Sequence, residues 1–168
     1  TIGINWYPEQ NFSGNLSHTS KNGSQREQVQ LAKNPPIGEG WGYRLQMERQ
    51  QGESIRTDSI SPYVQYNGEH GTYSAQYFSE RSNDGTRSSN HEFAVAGAIA
   101  YVDGNIGFTR PIYDAFAIVD LDGVPNVRVY QNNQLAGRTQ ADGRLFIPNL
   151  GAYAENEISV QDSDVPID

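Results

Sequence analysis

The chain has 168 residues, no cysteine and a formal net charge of −8 at pH 7. This length allows one domain, or a small domain with part of another. No stretch approaches the roughly 20 apolar residues of a membrane-spanning helix, whereas a membrane β-strand needs only about 10 alternating residues. The absence of cysteine leaves the cellular compartment open. The chain begins at Thr1 without a signal peptide, so we expect a fragment of something longer.

The negative charge is concentrated in the last third of the chain. Residues 112–168 hold 9 acidic and 3 basic side chains, whereas residues 1–111 hold 11 and 9. This shift predicts a domain boundary at Pro111. The acidic excess excludes nucleic acid as a partner, since phosphate binding requires clustered Lys and Arg.

Residues 1–109 repeat one pattern, in which apolar and polar side chains alternate along short segments. In the clearest segment, apolar Trp41, Tyr43, Leu45 and Met47 alternate with Gly42, Arg44, Gln46 and Glu48. Hairpin turns are predicted at Asn22-Gly23, Asn67-Gly68, Asp84-Gly85 and Asp103-Gly104. The pattern predicts an antiparallel meander of about seven or eight strands, with a long solvated loop at residues 88–90.

Two interpretations of this meander remain open from the residues alone. In a soluble sandwich the apolar faces would meet in a core, and in an outer-membrane barrel they would face lipid around a watery lumen. In the barrel, the predicted lumen-facing residues are Arg44, Gln46, Glu48 and Gln65. Aromatic residues near strand ends favour the barrel, because interfacial girdles lie there. These residues are Trp6, Tyr7, Trp41, Tyr43, Tyr66, Tyr73, Tyr101 and Phe108.

Residues 112–168 read as short strands separated by tight turns. Strands are predicted at residues 115–119, around Val127 and Val129, at residues 145–147, and around Ile158 and Val160. Turns are predicted at Asp122-Gly123, Asn132-Asn133 and Asp142-Gly143. Pro148 is expected to end its strand, because proline removes a ladder donor. The prediction is a small β-sandwich.

No catalytic motif, metal site or cofactor site emerges from the sequence, so we predict that the protein is not an enzyme. His18, His70 and His91 are scattered, without a metal-spaced neighbour. The acidic stretches at residues 120–123 and 162–164 lack the remaining ligands of an EF-hand, and turn or capping roles are expected for them. Arg138 is expected to pair with a carboxylate, with a direct partner contact as the alternative. Tyr153 and Asn156 are expected to fasten the last strand.

Several motifs, kept in order, resemble one family. They are Arg110-Pro111-Ile112, Asp114-Ala115-Phe116-Ala117, Val124-Pro125-Asn126-Val127, Gly137-Arg138-Thr139, Asp142-Gly143, Pro148-Asn149-Leu150, Tyr153, Asn156 and Asp164-Val165-Pro166. Together they resemble the outer-membrane fimbrial ushers, at the place where the β-barrel ends and the first C-terminal periplasmic domain begins. Residues 34–45 are similar to a barrel hairpin of the archaic (alternate) branch. Ala115 and Gln140 depart from the family's usual Ser and Asp.

The resemblance covers nearly the whole chain, weakly over residues 1–33 and strongly after residue 90. It implies that residues 1–111 form the last strands of a transmembrane β-barrel pore in the bacterial outer membrane. Residues 112–168 would then be an immunoglobulin-like or transthyretin-like sandwich in the periplasm. The implied partners are outer-membrane lipid and the complexes of a periplasmic pilus chaperone with its subunits. Arg138 and Tyr153 are the candidate partner-binding residues. The implied function is assembly and secretion of pilus subunits.

The alternative is a soluble secreted binding module. Residues 124–150 also resemble a transthyretin-like sandwich of the carboxypeptidase-regulatory type. Residues 1–109 would then be a separate β-domain, such as an adhesin or a lectin.

Overall fold

The computed structural model describes residues 1–166 and is all-β. Within that range it contains fourteen strands and one short 3-10 helix, Asp162–Asp164. The strands are β1 (Ile2–Trp6), β2 (Phe12–Lys21), β3 (Ser24–Lys33), β4 (Gly40–Gln51), β5 (Arg56–Asn67), β6 (Thr72–Ser82), β7 (Arg87–Ala96), β8 (Ala98–Val102), β9 (Asn105–Thr109), β10 (Ala115–Asp120), β11 (Arg128–Gln131), β12 (Gln134–Arg138), β13 (Arg144–Leu150) and β14 (Ile158–Val160). No helix in the described range is long and apolar enough to cross a membrane.

Strands β1 to β7 form one sheet in sequence order, which confirms the predicted antiparallel meander. Strands β2 to β7 have 10 to 12 residues each. Strands of globular proteins usually have about 5–6 residues, whereas a tilted membrane strand needs about 9–11. Asn22-Gly23 forms the predicted turn and takes the positive φ of a tight hairpin. The turn predicted at Asn67-Gly68 is a longer connection instead, because Asn67 ends β5 and the Gly68 N–H donates to Gly71 O.

The described residues cluster in two compact units. The first comprises residues 1–35, 41–65 and 74–94. The second comprises residues 36–40, residues 66–73 and the chain from residue 95 onward. The boundary at Pro111 remains a prediction.

Strand register in the first unit separates the polar side chains from the apolar ones. One row across β1 to β4 is wholly polar: Asn5, Asn15, Gln30 and Gln46. The neighbouring row, which points to the other face, is wholly apolar: Ile4, Leu16, Val29 and Met47. This apolar face is not packed into a core, because Ile4 is 60% exposed and Phe93 on β7 is 80% exposed. The dry interior expected of a soluble sandwich does not form from these faces.

In the second unit, the C-terminal strands form a small two-sheet sandwich. Strands β10 and β13 make one sheet, and β12, β11 and β14 make the other. Four side chains form the buried core: Val129, Leu145, Ile147 and Leu150. Burying apolar area of this kind is the main favourable term for a small domain.

Parts of the strand prediction were wrong. The meander itself holds seven strands, β1 to β7, as predicted, and β8 and β9 pair with each other in a separate two-stranded sheet. The loop predicted at residues 88–90 is part of β7, because a short turn at residues 83–86 already closes the hairpin. Here polar side chains on an exposed strand were mistaken for a loop. Strand β7 ends before Gly97, and β8 begins after it.

Pro148 does not end its strand, which was a second error. Strand β13 continues to Leu150, and its pairing with β10 shifts register between the Ala117–Ile147 and Ala115–Leu150 pairs. Pro148 and Asn149, which has a φ of 62°, occupy this bulge. A bulge leaves a residue unpaired, so the missing N–H of proline is tolerated there.

Candidate functional site

The residues predicted to face a lumen lie on the polar face of the first unit. Arg44, Gln46 and Glu48 alternate along β4, and the Arg44 guanidinium lies 5.2 Å from the centroid of the Tyr63 ring. The Tyr63 hydroxyl donates to Gln65 Oε1 at 2.7 Å. Arg44 and Gln65 line a shallow cavity of about 470 Å³. This face therefore offers hydrated donors and acceptors, and its role as a lumen wall remains a prediction.

The opposite, apolar face of the first unit ends in a row of charged side chains. Glu48 on the polar face pairs with Arg26 at 3.2 Å, whereas Arg49, one residue later, points to the apolar face. Arg49 Nε donates to Asp58 Oδ1 at 2.7 Å. His18 Nδ1 lies 3.7 Å from Glu27 Oε1 in the same row. Charges thus mark one limit of the apolar band.

In the second unit, the guanidinium of Arg110 joins three separate chain segments. Arg110 follows β9 directly, and it is 8% exposed. Its Nη1 donates to Gly68 O and its Nη2 donates to Ile37 O, both at 3.0 Å. Asn67 Nδ2 donates to Pro36 O at 3.0 Å and ties the same two connections. The guanidinium therefore fixes the β3–β4 and β5–β6 connections against the end of β9.

Burial lowers the pKa of Arg110 from its ordinary value, and the nearby Glu39 carboxylate opposes that change. Arginine nevertheless stays charged in proteins. A buried charge of this kind must be satisfied by hydrogen bonds, which the two carbonyl oxygens provide. Arg110 is part of the motif Arg110-Pro111-Ile112, but its role in joining the two connections was not predicted, because nothing local to residue 110 signals its burial.

A cavity of about 440 Å³ lies beside this cluster, wholly within the second unit. Its wall combines charged, polar and apolar side chains: Glu39, Glu69, Arg110, Leu135, Arg138, Gln140 and Phe146. Strand β12 lies at the edge of its three-stranded sheet and contributes Leu135, which is largely exposed. A wall that mixes charged, polar and apolar groups beside an edge strand is suited to binding a peptide segment.

Arg138, one of the two predicted partner-binding residues, lies on the cavity wall at the end of β12. Its Nη1 donates to Asn126 O at 2.9 Å and lies 3.9 Å from Asp164 Oδ2. The next residue, Thr139, is buried and has a structural role: its hydroxyl donates to Val124 O at 2.8 Å. Arg138 thus has internal partners and an exposed side chain at the same time.

Tyr153, the other predicted partner-binding residue, is fully exposed in the turn before β14. It does not fasten the last strand, which corrects that expectation. Asn156 instead closes the turn before β14, because it donates from Nδ2 to Gly151 O at 2.8 Å and accepts from Gly151 N at 3.1 Å. The sequence pattern did not distinguish the two residues.

The closest ion pair of the sandwich is between Arg128 and Asp164. Arg128 Nε and Nη2 donate to the two carboxylate oxygens at 2.7 and 2.8 Å, and the Arg128 backbone N–H adds a third bond at 3.1 Å. The side-chain bonds from Arg128 lower the pKa of Asp164 to about 2. The residue range 162–164, noted for its acidic side chains, is thus an anchor for β11.

No group of His, Asp and Glu side chains in residues 1–166 has the geometry of a metal site. His70 contacts Glu69 and Phe108 O, and His91 contacts the Tyr77 ring in a tilted arrangement with ring centroids 4.8 Å apart. The arrangement offers surfaces and a cavity for binding, and it assembles no nucleophile with a base within the described residues.

Comparison with known proteins identifies the family. A family model for outer membrane usher proteins matches residues 2–168. Outer membrane usher protein YraJ of Escherichia coli (strain K12) is 29% identical over 101 residues, which cover 60% of this chain and 11% of that protein. Outer membrane usher protein CS3-2 of Escherichia coli is 29% identical over 133 residues, or 78% of this chain and 13% of that protein.

Outer membrane usher protein CssD of Escherichia coli is 28% identical over 117 residues, which cover 68% of this chain and 12% of that protein. The chain thus spans about one eighth of the length of these relatives. No solved structure matches it. Since the family model covers almost every residue, the chain belongs to the outer membrane usher protein family.

Proposed function

We propose that this chain is a segment of a longer usher that assembles pilus subunits and secretes them through the outer membrane. Residues 1–111 form the last strands of the pore, and residues 112–168 form a periplasmic domain that holds chaperone–subunit complexes. The exposed apolar face of the first unit carries this proposal. An apolar face of that extent on long strands is stable where lipid covers it.

The polar face supports the pore role. Arg44, Gln46, Glu48 and Gln65 lie on the face opposite to the apolar rows, where a lumen wall would be. In a membrane barrel, lipid-facing and lumen-facing residues alternate along each strand, as they do along β4. The closure of such a barrel removes the unpaired edges that lipid does not tolerate.

The sandwich supports the second role. Arg138 and the edge strand β12 line a cavity with both charged and apolar walls. Tyr153 is fully exposed in the turn before β14. We propose Arg138 and Tyr153 as contacts to the chaperone–subunit complex. Pilus assembly would proceed by donor-strand exchange, in which an extended segment of one subunit completes the sheet of the next. This role requires no bond-making chemistry from the usher.

A lysine scan on β7 tests the membrane role. Phe93 is on the exposed apolar face, and Ala94 points to the other face of the same strand. Phe93→Lys should cost about 1–2 kcal/mol more folding free energy in a bilayer than Ala94→Lys, because a charge then faces lipid, although not at the midplane, where the cost of a charge is largest. The measurement is a denaturant titration of the usher folded into lipid vesicles. Equal effects of the two variants would contradict the proposal.

Binding measurements test the periplasmic role. Arg138→Ala should weaken binding of a purified chaperone–subunit complex about tenfold, since a charged contact at an interface contributes about 1–2 kcal/mol. Arg144→Ala is the control, because Arg144 is a similarly exposed arginine that pairs with Asp120 at 2.8 Å. A chain that stays monomeric in plain buffer and binds no such complex would instead favour the soluble binding module.

A further inference from the structure

Two arginines oppose each other at the end of β6 and β7 next to the turn at residues 83–86, on the face that carries Phe93 further along β7. The Ser82 N–H donates to Thr86 O at 2.9 Å. Further along the same two strands, the rings of Tyr77 and His91 contact each other, with their centroids 4.8 Å apart. Both contacts define the same antiparallel register. In that register Arg81 of β6 lies directly opposite Arg87 of β7, on the same face as Tyr77 and His91.

Like charges directly opposite each other destabilise an antiparallel pair. Both arginine side chains are exposed, and no ion pair joins either of them to a carboxylate within residues 1–166. The carboxylate of Asp84 in the turn accepts from the Thr86 N–H at 2.8 Å. The protein itself therefore leaves this positive charge unbalanced.

Asp58, the acidic residue beside Arg81 in the same row, is already paired with other arginines. The Asn83 N–H donates to Arg56 O at 2.9 Å, and this register places Asp58 of β5 opposite Arg81. The Asp58 carboxylate, however, is bound by Arg49 at 2.7 Å and by Arg56 at 3.1 Å. Asp58 thus has two arginine partners of its own, and the charge surplus remains at Arg81 and Arg87.

The charged row that contains Arg49, Asp58, Arg81 and Arg87 lies at a fixed distance along the strands from the other limit of the apolar face. Along β4, Trp41 at one limit of the apolar face and Arg49 in the charged row are eight residues apart. At about 3.4 Å per residue this is about 27 Å along the strand, or about 21 Å across a membrane at a tilt of about 40°. The apolar band of a membrane barrel is about 25 Å tall. In a membrane barrel the charged row therefore falls at the level of the lipid headgroups.

We propose that Arg81 and Arg87 bind the phosphate groups of lipid headgroups, an inference that rests on the proposed pore function. The guanidinium fork matches the geometry of phosphate oxygens. One phosphate between the two arginines neutralises their mutual repulsion.

The test uses the usher that contains this chain, reconstituted in phosphatidylcholine vesicles with spin-labelled phosphatidylglycerol or spin-labelled phosphatidylcholine. Wild type should retain the anionic label several-fold more strongly. Arg81→Gln with Arg87→Gln should reduce this preference about fivefold or more at low salt, since each basic residue near a lipid surface contributes about fivefold. Retention of the neutral label should not change. Raising the salt concentration should weaken the preference of wild type.

Lys21→Gln with Arg26→Gln is the charge-matched control, because both residues lie on the polar face. This variant should keep the wild-type preference within about twofold. An unchanged preference in the Arg81/Arg87 variant, with both labels still retained, would overturn the lipid site and leave the pore function standing. Failure of wild type to retain either label would overturn both. Displacement of the anionic label by millimolar inorganic phosphate would overturn the assignment to lipid.

Discussion

Replacing Arg110 by alanine should loosen the chain segments that its guanidinium joins. The change removes two charge-assisted hydrogen bonds of 3.0 Å, to Gly68 O and to Ile37 O. Hydrogen bonds to charged groups contribute about 1.5–3 kcal/mol each, so about 3–5 kcal/mol of local stability should be lost. Water cannot fully replace these bonds, because the site is only 8% exposed.

Hydrogen exchange at the β5–β6 connection measures this loss. The Gly68 N–H donates to Gly71 O at 2.8 Å and reports on opening of the connection. A loss of about 3 kcal/mol should accelerate its exchange about 100-fold or more. Arg110→Lys should have an intermediate effect, because a single ammonium does not reproduce the fork of the guanidinium.

Arg144→Ala is the matched control for the exchange experiment. Arg144 forms a surface ion pair with Asp120 at 2.8 Å, and such pairs contribute about 0–1 kcal/mol. This variant should leave exchange at Gly68 nearly unchanged. The reasoning is refuted if Arg110→Ala also leaves that exchange within about threefold of wild type.

Three further predictions concern the second unit and the sandwich. Gly38→Ala should displace residues 36–40 at a cost of about 1–3 kcal/mol, because the new Cβ would lie 2.5 Å from Leu135 O and 2.8 Å from Ala136 O. Gly52→Ala, where the nearest atom is 3.6 Å away, should be tolerated, and comparative hydrogen exchange distinguishes the two. The pKa of Asp164, about 2, is below its unfolded value of 3.8, so its stabilising contribution is complete above about pH 4 and is lost as the pH falls through about 2. Arg128→Ala should raise that pKa toward its ordinary value, while the backbone N–H of residue 128 and Arg138 continue to lower it; a carboxyl NMR titration that still gave about 2 would contradict this assignment. Ile147→Ala, at a core position that is 1% exposed, should destabilise the sandwich by about 2–5 kcal/mol, measured as faster exchange of the β11 and β13 amides.

Alternation along the chain was sufficient to predict the sheet and its two faces. Side chains in a strand point to opposite sides with a period of two, so Trp41 to Glu48 could be assigned to faces without any tertiary information. The Asn-Gly and Asp-Gly turns were equally local, because only their own backbone must take positive φ. The errors at residues 88–90 and at Pro148 arose where pairing with a neighbouring strand overrides local preference.

The sequence by itself determined an all-β chain with one apolar and one polar face, because strand alternation and turn chemistry depend only on neighbouring residues. It also carried the usher motifs from Arg110 to Pro166. Tertiary structure alone decided that Arg110 is buried among carbonyls of Ile37 and Gly68, and that Arg81 and Arg87 lie opposite each other. These contacts join residues that are distant in the chain, and they depend on register and close packing, which no local pattern specifies.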